Sequence, residues 1–415
     1  MMKKFTKQEM SWAFYDWANS AYSMTVTTTI LPIYFKLVAE NGGMSDTTST
    51  AMWGYTLSFA TLIVAILAPI IGGFADFKGN KKRFFKVFVT LGVSGTICLA
   101  LAPSNNPILL LGIYTITAIG FSGANNVYDS MLVDVTTIKR MDKVSSLGFG
   151  LGYIGSTIPF MMCMGVVLLS ETINVDMYTA CKVSFLITAM WWGAFTLPLL
   201  KHVNQVHYVE KEEHAVRNAF QRLGKTLTSI RQNKSIMMFL LAYFFYIDGV
   251  DTIIGMSTAY GTDLGISSTD LLIILLITQF VAFPFTLLYG RLAERYGSKR
   301  MIYVGIWTYF VICCYGYFIS DATDFFILAM GVGSAQGGIQ AISRSHFSKL
   351  VPRENAAEFF GFYNIFGKFA AILGPIMVGV ITQATGRTNN GVLSLVVLFL
   401  IALVIFKKSP DVCVE

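Results

Sequence analysis

Three ionisable residues lie deep in apolar stretches, where hydrocarbon would penalise them. Lys368 sits about twelve residues into one stretch, near its middle at ~1.5 Å rise per residue. Asp248 and Asp251 sit at similar depth in another and share a helical face at i, i+3, with Thr252 one turn from Asp248. A charge at a bilayer centre costs roughly 2.5–3.5 kcal/mol on insertion scales, so such groups face a cavity or a partner. Lys368 with Asp248 or Asp251 is therefore either an ion pair locking two helices or a site that holds a charged solute or exchanges a proton. Tyr246, Gln336 and Gln340 lie on stretches able to line the same space. So do Asp16 and Asn19, which begin a polar stripe continued by Ser23 and Thr27. A stripe of this kind lines water or another helix, not lipid.

A second set of charges suits gating better than binding. Gly72, Ala75, Asp76, Gly79, Lys81 and Lys82 form G-x-x-A-D-x-x-G-x-K-K, and Gly290, Ala293, Glu294, Gly297, Lys299 and Arg300 repeat it as G-x-x-A-E-x-x-G-x-K-R. Glycines end one helix and permit a tight reversal. The acid can accept from a helix N-terminus or pair with a base, and the cations hold the loop at an anionic leaflet. Asp76 and Glu294 are thus expected to be latch residues, with Asp134 pairing with Arg83. Asp129 and Arg344 end corresponding stretches in the two halves and are placed to close a mouth as a salt bridge. The alternative is that these loops only anchor topology.

The surrounding composition requires a membrane. The chain has 415 residues, 54% hydrophobic and only 13% charged, against roughly 25% charged in soluble domains. Twelve apolar stretches read as helices, with boundaries near 11–37, 51–76, 84–103, 107–133, 144–170, 179–200, 235–259, 269–293, 300–319, 323–343, 356–384 and 388–406. The net charge of +7 is a matter of placement. All Lys and Arg except Lys36, Lys182, Lys368 and Arg387 fall in the termini or the even-to-odd connections, which puts both termini in the cytoplasm of a multi-pass cell-membrane protein. Orientation accounts for the basic excess without a nucleic-acid partner. The duplicated loop divides the chain into six-helix bundles at 1–200 and 235–415. The linker 201–234 between them reads as an amphipathic helix along the cytoplasmic membrane surface and equally as a solvated connection with some helical content. Its histidines, His202, His207 and His214, are not spaced as metal ligands on one helical face. No H-E-x-x-H, G-x-S-x-G or phosphate-cradling G-x-x-x-x-G-K-[ST] is present, so an enzyme is not expected. No metal and no cofactor is expected, with a proton or sodium as possible coupling ion.

The loop motif, its repeat and the twelve-span plan resemble the major facilitator superfamily over the whole chain. Several segments look more narrowly like the branch of the autophagy-related vacuolar effluxer and its bacterial relatives. They are Trp12 with Tyr15–Ser20 (Y-D-W-A-N-S), Tyr246–Asp251 (Y-I-D-G-V-D), Gln336–Arg344 (Q-G-G-I-Q-A-I-S-R) and Phe359–Lys368 (F-F-G-F-Y-N-I-F-G-K). The superfamily resemblance implies an all-α membrane fold of two pseudo-symmetric bundles, a site between them and alternating access. The branch resemblance implies export of amino acids. The expectation is a monomeric secondary transporter of a small charged or zwitterionic solute. A lipid or lysolipid transporter and a transporter-like sensor of the same fold remain open.

Overall fold

The computed structural model describes residues 4–170, 172, 174–210 and 215–410; His214 lies outside them. Among the described residues the chain is helical, apart from one isolated parallel bridge between Phe77 and Val209. The first span is a continuous rod in three pieces: α1 (Lys7–Ala21), a π-helical stretch (Tyr22–Ile30) and α2 (Leu31–Asn41). Thr6 and Glu9 start it with a reciprocal capping box. The π stretch follows the β-branched run from Thr25 to Ile30. Hydroxyls of Thr28 and Thr29 there donate to the carbonyls of Ser23 and Met24, five residues back. Along the anticipated stripe, Asn19 is buried and Ser23, within the wider turn, is exposed.

The rest of the first bundle is α3 (Asp46–Ala75), α4 (Asn80–Leu101), α5 (Pro107–Ser130) with the short α6 (Leu132–Val135), α7 (Met141–Leu168) and α8 (Met177–His202). A linker helix follows, α9 (Ala215–Gln232). The second bundle comprises α10 (Lys234–Asp263), α11 (Ser268–Tyr296), α12 (Ser298–Gly316), α13 (Ala322–Leu350), α14 (Ala356–Ala370), α15 (Leu373–Thr385), α16 (Thr388–Ser394) and α17 (Val396–Lys407). Among the described residues, ten helical stretches are long and apolar enough to cross a membrane. The first rod and α12 stand in the two remaining places of the twelve.

The eleventh span, expected as one helix over 356–384, is broken between α14 and α15. Pro375 lacks an N–H, and its ring crowds the carbonyl four residues back, at Ala371, where α14 has just ended. The linker forms a helix within 201–234, with one face buried against the bundles. It packs on α3, α10 and α14, burying Thr226 and Ile230, so it lies across helix ends of both bundles.

The bundles meet along α3 with α14 and α7 with α11 and α13. The hydrogen bonds that cross between them cluster at one end, the end that carries both copies of the loop motif. At the other end α2, α15 and α16 pack within their own bundles. Two glycines allow the close approach. A Cβ on Gly72 would stand 2.1 Å from the Ala357 carbonyl oxygen, and one on Gly361 would stand 2.4 Å from the Cα of Pro69. Replacing Gly361 with Val should therefore destabilise this closed contact by about 1–3 kcal/mol, the usual cost of overpacking. The midpoint of thermal unfolding in detergent should fall; an unchanged or raised midpoint would contradict the packing described.

Candidate functional site

Arg344, on the last turns of α13, is 3% exposed and draws its partners from the opposite bundle. Its guanidinium donates to Asp129 Oδ1 at 3.0 Å and to Asp16 Oδ2 at 3.0 Å. It also donates to the Ser145 hydroxyl at 2.9 Å and the Ser145 carbonyl at 3.0 Å. Its flat faces lie on Phe149 and Trp12, 4.2 Å and 4.7 Å from the ring centroids. Trp12 is fixed in turn by donating its indole N–H to the Tyr128 carbonyl. Sequence position alone placed Asp129 opposite Arg344. Asp16, expected with Asn19 to line the central space, is instead 8% exposed and completes this cluster. One helical turn on, Asn19 donates to Asn125 Oδ1 at 2.7 Å and stays within its own bundle.

The first loop motif forms a second closure. Asp76 is fully buried and accepts the backbone N–H groups of Ala357 at 2.9 Å and Glu358 at 2.8 Å, capping α14 from the other bundle. A carboxylate here faces the positive end of the helix dipole. Burial pushes the Asp76 carboxyl up to about 7, against the pull of Lys81 and the two amides. Lys81, also fully buried, stands 4.0 Å from Asp76 and 2.8 Å from Asp134. The expected Asp134–Arg83 pair is therefore wrong, and Lys81 takes the place of Arg83. Two residues along α4 turn the side chain by ~200°, which leaves Arg83 exposed on the far side.

The other oxygen of Asp134 accepts the backbone N–H groups of Val206 and His207 at 2.9 and 2.8 Å. The first linker residues are thereby woven into the motif loop. Gln205 donates to the Asp76 carbonyl, Val209 exchanges backbone hydrogen bonds with Asp76 and Lys78, and Lys78 reaches Glu210.

The second copy of the motif does not mirror the first. Glu294, expected as a latch, is exposed, and its electrostatic partner is Arg140 in the α6–α7 connection. The first turn of α7 already contains Asp142, whose carboxylate would repel another acid there. Asp142 itself bridges the bundles, accepting from Ser345 at 2.6 Å and pairing with Lys349 at 2.5 Å. Nothing in the sequence reading singled out this bridge; its signal was an acid in the first turn of the fifth span and a base in the last turn of the tenth. Alongside, Arg140 grips Glu9 through Nε and a terminal nitrogen at 2.8 and 2.7 Å. Burial pushes the Glu9 carboxyl up, but Arg140, the Thr6 amide and Thr136 outweigh it and hold the carboxyl below its usual range.

The central candidates separate into two groups. Lys368 is exposed and lines a groove between the bundles, with Ser58, Thr61 and Ala65 of α3 on one wall and Ala371 and Ile372 at the helix break on the other. Asp251 is half-buried and is the acid with which Lys368 interacts electrostatically. Asp248, in contrast, is fully buried and accepts the Gly374 N–H at 2.9 Å. Of the two acids offered as partners for Lys368, Asp251 is the one within its electrostatic reach, and Asp248 holds the break in the eleventh span. Tyr246 turns into the core and shares a 2.6 Å hydrogen bond with Ser343. Gln336 is buried at the edge of a second recess, with Thr278, Gln279 and Ser257 around it. Gln340 is half-buried one turn further on.

A sealed end, a parted end and a charged groove between two bundles invite comparison with known membrane proteins. The outward conformation of the transporter FucP superposes with a TM-score of 0.73 at 14% identity, covering 98% of each chain. The human organic anion transporter MFSD10 gives 0.71 at 12% identity, covering 97% of this chain and 100% of that one. At these identities the likeness establishes the major facilitator fold and nothing finer. In sequence, the MFS-type transporter YxiO of Bacillus subtilis (strain 168) is 57% identical over 413 residues, which span 99% of this chain and 96% of that protein. Autophagy-related protein 22 of Eremothecium gossypii is 24% identical over 90% of this chain and 85% of its own length. The family model described as "Vacuole effluxer Atg22 like" matches residues 5–410. The chain is a multi-pass membrane transporter of the major facilitator superfamily, and it belongs to the Atg22-like family.

Proposed function

We propose that this transporter moves a small charged or zwitterionic solute, such as an amino acid, by alternating access. The observation that carries the reading is the opposed pair at the parting of the bundles, Lys368 exposed in the groove and Asp251 half-buried within its electrostatic reach. An ammonium and a carboxylate that are not locked together match the two ends of an amino acid. A solute carboxylate takes Lys368, a solute ammonium takes Asp251, and each replaces part of the other's compensation.

The placing of Lys and Arg makes the motif end cytoplasmic, so this conformation is closed to the cytoplasm and open outward, in the cell membrane. Asp16–Arg344–Asp129, Asp142–Lys349 and the Asp76 cap on α14 then form the inner gate of a monomeric secondary transporter. Export is the favoured direction, in keeping with the word "effluxer" in the description of the family. One observation favours a second reading, an anionic amphiphile in place of a solute: Leu57, Leu62, Phe369 and Ile372 surround Lys368 with apolar surface.

Two outcomes follow. In a thermal-shift screen of the twenty common amino acids and of lysophosphatidylglycerol, an amino acid should stabilise the protein. Lys368→Ala should abolish that shift and Asp251→Asn should weaken it; equal stabilisation of all three proteins removes the pair from the site, and a response to the lysolipid alone favours the amphiphile. At the gate, Arg344→Leu leaves Asp16 and Asp129 buried without their cation. Breaking such a pair costs about 3–5 kcal/mol, so the closed state should lose ground. A cysteine placed at Ser145 should then label faster from the cytoplasmic side of inside-out vesicles than in the Arg344 parent, and an unchanged rate would show that this cluster does not hold the gate.

A further inference from the structure

The groups that line the groove leave one buried acid unaccounted for. Asp248 is 0% exposed and Thr252, one turn along α10, is 2% exposed. Oδ1 of Asp248 accepts the Gly374 N–H, but Oδ2 has no partner, and neither has the hydroxyl of Thr252. Both side chains close on Gly374. A Cβ built on Gly374 would meet Asp248 Oδ1 at 2.9 Å and Thr252 Oγ1 at 2.1 Å, so both side chains press on the same point of the broken span. The hydroxyl lies against the carboxyl without making a hydrogen bond to it.

A bare carboxylate oxygen in such a place costs several kcal/mol unless a charge or a donor meets it. Among the described residues, the elements packed on this part of α10 supply no cation to Asp248. From α14, Lys368 acts on Asp251. From α15 comes the Gly374 amide, from α17 the ring of Phe399 against Gly249, and from α13 the Ser343 hydroxyl, which Tyr246 occupies. The charged neighbour on α10 itself is Asp251, a like charge. A metal cation is disfavoured for a separate reason: the side facing α15 presents an N–H donor and the positive end of a helix.

A single proton on Oδ2 resolves both orphans. With a rotation of the two side chains, Oδ2–H can donate to Thr252 Oγ1, and the Thr252 hydroxyl to the Asp248 carbonyl four residues back. No charge is then left in the core. The Gly374 amide still supports the ionised form through Oδ1, so the proton can leave when water reaches the break.

We infer that Asp248, Thr252 and the Gly374 amide form a proton-binding site at the break of the eleventh span, and that its proton couples the transport proposed above. The coupling half rests on that reading; the proton site does not. Binding adds one proton to the carboxylate with no other bond made or broken. Because Gly374 opens α15 and Ala371 and Ile372 form the groove wall beside Lys368, loss of the proton acts directly on the wall of the solute site.

Infrared difference spectroscopy of the purified protein in lipid, without any solute, tests the site. Wild type should show a protonated carboxyl C=O band at neutral pH. The band should vanish in Asp248→Asn, persist in Asp251→Asn, and move to higher frequency in Thr252→Val, where its acceptor is gone. Asp248→Asn keeps the acceptor for Gly374 and donates to Thr252, so it should fold and mimic the protonated state. A band that survives Asp248→Asn overturns the site. So does a thermal midpoint that rises with sodium, relative to choline, in wild type but not in Asp248→Asn, which would make it a sodium site. For coupling, any amino acid that stabilises wild type should change in affinity by up to about tenfold per pH unit across the titration of the band, and Asp248→Asn should be flat. A band that titrates while affinity stays constant leaves a proton site that does not couple.

Discussion

One guanidinium, that of Arg344, is compensated wholly from across the molecule. Its two carboxylates, its hydroxyl and the rings it lies on all belong to the first bundle, while its own helix belongs to the second. Within a bundle such a cluster would be internal packing. Between bundles it means that parting them exposes an uncompensated cation and two uncompensated anions, unless water enters at the same moment. The cluster therefore favours two conditions, dry and closed or wet and open, over any intermediate. The Asp76 cap and the Asp142–Lys349 bridge add to the same choice, because all three join the same two bundles.

Duplication of the loop motif did not produce duplicated mechanics. In the first copy the acid caps a helix of the other bundle. In the second, the corresponding first turn is already acidic at Asp142, Glu294 faces outward, and closure passes to Lys349 and Ser345. The two seams thus close by different chemistry: backbone amides on a carboxylate along α3–α14, and side-chain charges between α7 and α13. A carboxylate held by amides needs no particular side chains on its partner helix. The α7–α13 bridge needs its base.

What could be read from the chain before its fold was known followed a physical pattern. Membrane spans, their duplication and the Asp129–Arg344 juxtaposition are legible because they depend on composition and on position along a span. Which of two nearby groups makes a contact depends on rotation about a helix axis, and there the reading failed. Lys81 replaces Arg83 because two residues reverse the direction of a side chain. Asp251 rather than Asp248 is in electrostatic reach of Lys368, because the break between α14 and α15 draws Asp248 onto the Gly374 amide. That break and the π turn after Ala21 were hidden for a common reason: a Gly-Pro pair and a β-branched run are compatible with a continuous span, and only the neighbouring helices decide otherwise. Tyr246, named as a cavity residue, is spent on Ser343 for the same rotational reason.

Residues 203–210 also change what the linker is. They are hydrogen-bonded to the loop at 76–82 and to Asp134, so mechanically they are the last piece of the first bundle. The leash between the bundles is therefore shorter than its sequence length, and a short leash keeps each partner at high effective concentration for the other. A chain severed beyond Glu210 would leave both bundles with intact edges, able to find each other again as separate pieces. A chain severed before Val203 would strip Asp134 of its two linker amides and leave Lys81 sharing a half-satisfied acid beneath the latch.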